Sequence, residues 1–83
     1  MDSHIARSSK QVGATLRSLR KQANLTQGAL GKRVGVRQAT ISDIENADAS
    51  TKLETLFDVL SALDLELVIR KRSKDEPSLE DIF

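Results

Sequence analysis

Apolar residues fall into four helical stripes followed by one alternating run. Val12, Leu16, Leu19 and Ala23 recur at i, i+4, i+7 and i+11, which is one face of a helix. Ser8 and Ser9 are N-cap residues ahead of it, and Asn24 is a C-terminal stop. The opposite face carries Lys10, Arg17 and Lys21. Thr26 caps a short second helix ending at Arg33 or Val34, with Leu30 and Val34 inward and Ala29 close by. Gly28 and Gly31 weaken that helix by roughly 1 kcal/mol each relative to alanine, so packing must hold it. Gly35 permits the positive φ that ends one helix and turns toward the next, and Val36 plugs the turn. A third helix runs from Gln38 to Glu45 with Ile41 and Ile44 inward. After a loop, Ser50 or Thr51 caps a fourth helix near Glu54. Its stripe is Leu53, Leu56, Phe57, Leu60 and Leu63, with Val59 at the edge.

Beyond Asp64 the period changes from helix to strand. Leu65, Leu67 and Ile69 alternate with Glu66, Val68 and Arg70, the signature of a half-buried strand over 65–72. A lone strand leaves its backbone groups unpaired. The same strand of a second copy, antiparallel about a two-fold axis, supplies the partner; Leu65, Leu67, Val68 and Ile69 are then dimerisation residues. The alternative is that 65–72 extends the fourth helix. The chain therefore divides into an arm (1–7), a helical domain (8–64), a dimerisation strand (65–72) and an acidic tail (73–83). That tail contains Pro77 and ends with Leu79, Ile82 and Phe83, and its composition predicts disorder.

Composition limits what this domain can be. Its 83 residues include no cysteine, one histidine and two phenylalanines as the only aromatics. Disulfides, thiolate metal sites and a large aromatic core are absent as supports, which leaves oligomerisation. No acid–base pair, activated nucleophile or metal cluster is legible, so the expectation is a non-enzyme without cofactor. No apolar stretch approaches the ~20 residues that span a bilayer, and no apolar signal segment opens the chain. The expected setting is the cytoplasm, on the nucleoid when bound to DNA.

Net charge is only +1, but it is segregated. Residues 1–46 carry eight lysines and arginines against three acids, a net +5; residues 47–83 carry five against nine, a net −4. One half suits a polyanion. Two solvated faces of different charge are the plainer alternative.

Three features coincide between residues 26 and 46. A short helix, a glycine turn and a second short helix have helix-turn-helix spacing. The helix after the turn opens with slender or amide-bearing residues, as a groove ~12 Å wide requires. Basic residues flank it. Arg37, Gln38, Ala39, Thr40 and Ser42 are the candidate base-contacting residues: Gln38 can bond adenine N6 and N7, Arg37 can reach guanine or a phosphate, and the methyls of Ala39 and Thr40 can meet thymine. Gln27, Lys10, Arg17, Lys32 and Arg33 are candidate phosphate contacts, which position a protein without reading sequence. A plain helical hairpin would bury Ile41 and Ile44 equally well. It would not account for the polar or tiny residues among Arg37–Ser42.

The stretch Leu25-Thr26-Gln27-Gly28-Ala29-Leu30-Gly31, then Val34-Gly35-Val36, then Gln38 to Asn46, resembles the Cro/C1-type (Xre) helix-turn-helix family over roughly residues 10–65. The Arg37–Ser42 run and the Leu65–Val68 strand are similar to HipB-type antitoxins. The resemblance implies a mostly α, lambda repressor-like domain of four to five helices with one C-terminal β-strand that pairs across a homodimer. It also implies double-stranded DNA with a palindromic operator, and a HipA-like kinase toxin as partner. It pairs Arg20 with Glu45, where charge alone would send Arg20 to a phosphate. Two departures stand out: Gly28 and Gly31 replace better helix formers, and Asp43 puts an acid on the recognition helix. An ordinary repressor without a toxin, and a protein–protein module that has lost DNA binding, are the competing readings.

Overall fold

The computed structural model describes residues 3–72; Met1, Asp2 and the acidic tail 73–83 lie outside the described residues. Four helices follow in chain order: α1 (Ser9–Gln22), α2 (Gln27–Val34), α3 (Gln38–Asn46) and α4 (Leu53–Ala62). α1 and α2 both pack on α3, and α4 packs on α2.

The first two helices begin where hydroxyl chemistry places them. Ser8 Oγ accepts from the N–H of Gln11 at 3.1 Å, and Thr26 Oγ1 accepts from that of Ala29 at 3.0 Å. Each bond satisfies a first-turn donor that the helix itself cannot. Asn24 ends α1 in the left-handed region, φ 59°. Gly35 ends α2 at φ 87°, and the N–H groups of Gly35 and Val36 both close on the carbonyl of Gly31. The other two starts lack such a cap. Arg37 and Lys52 are the N-cap residues of α3 and α4, and neither side chain caps. The expected caps Ser50 and Thr51 lie too early; α4 begins at Leu53. α3 ends on Ala47 at φ 55°, a conformation in which a β-carbon crowds the following carbonyl.

Every helix contributes to the core: Leu16, Leu30, Ile41, Ile44, Val59 and Leu60 are buried. Full burial of side chains such as Leu30, Ile41 and Val59 contributes about 1.5–3 kcal/mol each. Val36 plugs the turn between α2 and α3 as its position predicts. The α4 stripe is rotated from the expected one. Val59 sits at its centre, 1% exposed, while Leu53 and Phe57 are 63% and 45% exposed. On α1 the buried set includes Gln11, Gly13 and Arg20, and Ala23 is exposed.

Gly13 marks where α1 meets the end of α3. A methyl group there would collide with the carbonyl oxygens of Ile44 and Glu45. Gly31 has a similar reason: a β-carbon would lie 2.7 Å from the carbonyl oxygen of Val36. The glycine that weakens α2 thus lets the turn fold back onto it.

Residues 65–72 do not extend α4. Asp64 turns the chain at φ 58°, and the N–H of Leu65 donates to Leu60 O at 2.8 Å. Leu65 packs on the core, and Leu67, Val68 and Ile69 are exposed. The expected strand needs a second chain, and among the described residues of this one no strand forms.

A buried ion pair ties α1 to α3. Arg20 Nε donates to Glu45 Oε2 at 2.6 Å, Nη2 donates to Oε1 at 3.1 Å, and Nη1 donates to Leu25 O at 2.7 Å. The two side chains are 8% and 2% exposed. Breaking one partner of such a pair strands a charge in the interior. Glu45→Ala is expected to destabilise the fold by roughly 3–5 kcal/mol in urea denaturation. A loss below ~1 kcal/mol would mean that water already screens the pair.

Candidate nucleic-acid interface

The turn Gly35-Val36-Arg37 sets α3 against α2 so that their first residues lie side by side. Gln38 Nε2 donates to Gln27 Oε1 at 3.2 Å. Gln27 Nε2 donates to Glu45 Oε1 at 3.1 Å. The chain of bonds runs from the exposed start of α3, through the half-buried first residue of α2, to the buried carboxylate on the last turn of α3.

An open groove of about 590 Å³ runs along this front, with Arg17 of α1, the capping residue Thr26, Gln27 of α2, and Gln38 and Asn46 of α3 on its walls. The first turn of α2 opens into it, and N–H groups without intrahelical acceptors at such a turn favour an anion. A second groove lies between α1 and the end of α3, lined by Lys10, Arg17, Lys21 and Asn46 among others. Lys10, Arg17 and Lys21 are exposed and recur at i, i+7 and i+11, so they form a straight cationic stripe about 16 Å long on α1. Between Ser3 and Ser42 there is no acidic residue at all.

The candidate residues therefore separate. Arg37, Gln38 and Ala39 are exposed at the start of α3; Thr40 and Ser42 are half-buried farther along it. Gln27 stands next to Gln38 with both ends of its amide engaged. Lys10 and Arg17 share the second groove. Lys32 and Arg33 are exposed on the last turn of α2 and line neither groove. Asp43 is half-buried, and its backbone carbonyl accepts from the N–H of Asp48 at 3.0 Å.

Two residues escaped the sequence reading as site members. Asn46 lines both grooves, and its Nδ2 donates to Ser42 Oγ at 3.3 Å. The i, i+4 spacing of Ser42 and Asn46 is the signal that could have found it. Lys21 was legible on the polar face of α1, but only the structure sets it beside Lys10 and Arg17.

The chain matches the helix-turn-helix family over residues 16–69. It is 37% identical over 59 residues to antitoxin HipB of Escherichia coli K12, a match covering 71% of this chain and 67% of that protein. HipB of E. coli strain CFT073 matches at the same identity, and there the match spans 63% of the relative's length, less than two thirds. The putative antitoxin HigA2 of Mycobacterium tuberculosis is 41% identical over 78 residues, covering 92% of this chain and 77% of that one. Among solved structures, a HipA-HipB-O2-O3 complex contains a chain that superposes with a TM-score of 0.78 at 32% identity, covering 86% of this chain and all of the other. The P22 c2 repressor in complex with a synthetic operator superposes with a TM-score of 0.63 at 34% identity, over 66% of this chain and 83% of that one. Family match, antitoxin relatives and superposition agree with the geometry, and the chain belongs to the Cro/C1-type (Xre) helix-turn-helix family, with close similarity to HipB antitoxins.

Proposed function

We propose that this protein is a sequence-specific DNA-binding autorepressor that also serves as the antitoxin of a HipA-like kinase toxin. One observation carries the DNA reading. Gln38 at the exposed start of α3 lines one groove with the first turn of α2 and Arg17, and Arg17 and Asn46 also line the groove that holds Lys10 and Lys21 of α1. In this reading Arg37, Gln38, Ala39, Thr40 and Ser42 meet base edges in the major groove. Lys10, Arg17, Lys32, Arg33 and Gln27 meet phosphates.

The protein works as a homodimer on a palindromic operator. Support comes from Leu67, Val68 and Ile69, which are 50%, 69% and 90% exposed in a row. Consecutive apolar residues left in water cost hydrophobic free energy that a second copy's strand would recover. The proposed setting is the cytoplasm and, when bound, the nucleoid; among the described residues no helix is long and apolar enough to cross a membrane.

The antitoxin role rests on relatives of two names, HipB and HigA2. The kinase partner rests on HipB alone, through the structure that holds HipA and HipB together. A repressor without a toxin is the second reading, favoured by the superposition on the P22 c2 repressor. Co-expression with the neighbouring reading frames separates them. A kinase-like protein that co-purifies stoichiometrically is the expected result, and its absence under all conditions selects the stand-alone repressor.

Binding to DNA should weaken steeply with salt. Every phosphate that a side chain ceases to neutralise lowers the slope of log K against log salt by about 0.9. Arg17→Ala is expected to flatten that slope by one such step while leaving base preferences intact; an unchanged slope removes Arg17 from the phosphate set. Absence of any complex at low salt would instead support a module that has lost DNA binding. Deleting residues 65–83 is expected to give monomers that hold a half-site weakly. A truncated chain still dimeric by light scattering would place the seam elsewhere.

A further inference from the structure

We propose that Asp43 selects cytosine, so that α3 reads one base with a carboxylate a full turn beyond the residues at its start. The inference rests on the DNA-binding reading above. It adds a residue outside the five that reading gives to base edges.

α3 carries two acids, and only one of them is engaged. Glu45 is buried against Arg20. The Asp43 carboxylate has no hydrogen bond or ion pair among the described residues. The loop after α3 uses only its main chain: the N–H of Asp48 donates to the backbone carbonyl of Asp43 at 3.0 Å. Helix phase carries the side chain away from the core. Ile41, Ile44 and Glu45 are the buried residues of α3. Ala39, Asp43 and Asn46 recur at i, i+4 and i+7 on the opposite side, the first and last exposed and Asp43 half-buried. Asp43 thus stands in line with Ala39, about 6 Å farther along the helix axis. Neither of the two lines either groove. Both belong to the crest of α3, the convex part that a major groove ~12 Å wide accepts.

An acid at that place opposes simple attachment, because phosphates repel it. The chain has no other acid from Ser3 to Ile44. What the carboxylate offers is discrimination, which repulsive contacts supply as well as attractive ones. A carboxylate only accepts. Guanine presents N7 and O6 and thymine presents O4, all acceptors, so both are rejected. Adenine has a donor at N6, but its N7 acceptor lies alongside. Cytosine presents its N4 amino group and no acceptor of its own. Asp43 therefore lowers affinity for DNA in general and lowers it least where a cytosine stands opposite.

The test is selection from a randomised duplex pool, followed by affinity measurements on duplexes that differ at one pair. The wild-type protein is expected to enrich cytosine at one position of each half-site. Asp43→Asn keeps the shape, removes the charge and adds an amino group that can meet guanine. It is expected to bind every duplex more tightly and to lower the cytosine-over-guanine ratio at that position by roughly ten-fold, with the other positions unchanged. Asp43→Ala gives the same loss of ratio should the asparagine variant fail to fold. A chemical probe removes the partner instead. N4-methylcytosine at that position keeps its Watson–Crick pair and turns a methyl group into the major groove in place of the N–H. It is expected to weaken wild-type binding by roughly ten-fold and to leave Asp43→Ala unaffected. A pool without enriched cytosine, or a ratio that both variants leave intact, would overturn the proposal and reduce Asp43 to a bulk charge. Failure of the wild-type protein to bind any duplex at low salt would instead sink the DNA reading, and this inference with it.

Discussion

Much of this molecule hangs on one ion pair. Arg20 and Glu45 are far apart in sequence and meet in the interior, where α1 crosses the last turn of α3. Such a pair is weak support for stability as such, because desolvating two charges offsets most of their attraction. Well-packed apolar residues of similar volume can do as well. What they cannot supply is direction. A carboxylate that only accepts, and a guanidinium whose fork also takes the carbonyl of Leu25, set the orientation of every neighbour that bonds to them. The carboxylate holds Gln27, and Gln27 holds Gln38.

Close backbone approach supplies the rest of the placement. At Gly13 and Gly31 there is no room for a side chain, so α1 and the inter-helix turn approach α3 and α2 main chain to main chain. Close-packed backbone tolerates little sliding, because carbonyl oxygens cannot change rotamer as side chains do. α3 is therefore held near both ends: at its start by the turn folded back on Gly31, and at its finish by Gly13 and Arg20. A helix of nine residues would have little helical stability by itself. Tertiary packing makes it a usable surface.

Local chemistry made part of this legible in the sequence. Ser8, Thr26, Asn24 and Gly35 carry their structural role in their own side chains, or in having none, and the boundaries of α1 and α2 follow from them. α4 shows the limit. Five apolar residues span so broad an arc that periodicity alone does not choose its centre. Packing against α2 chooses Val59 and leaves Leu53 and Phe57 outside. Ser50 and Thr51 suggested a cap that the backbone does not use. Gly31 looked like a weakness because propensity sees one helix at a time, and the oxygen it accommodates belongs to the next segment. At the site, residue types indicated a groove-facing helix, and the family resemblance implied the Arg20–Glu45 pair. The engagement of Gln27 with both Glu45 and Gln38 required the fold, because it depends on residues distant in sequence.

The same interactions bear on how two copies would read DNA together. In the proposed dimer, half-site spacing is a geometric property of the path from one α3 to the other. Within each protomer that path runs from α3 to α2 across Gly31 and the Val36 turn, from α2 to α4 through the core, and from α4 to residue 65 through the bond from Leu65 N–H to Leu60 O. Every step on it is close backbone approach, buried apolar packing or a short hydrogen bond. A stiff path admits one spacing and rejects others, which adds specificity that no single base contact provides. In the proposed dimer the path leaves the protomer at Leu67, Val68 and Ile69, which among the described residues are a run of exposed apolar side chains. Close packing as far as Leu65, followed by apolar surface that a second copy can cover, is the arrangement a spacing-sensitive dimer requires.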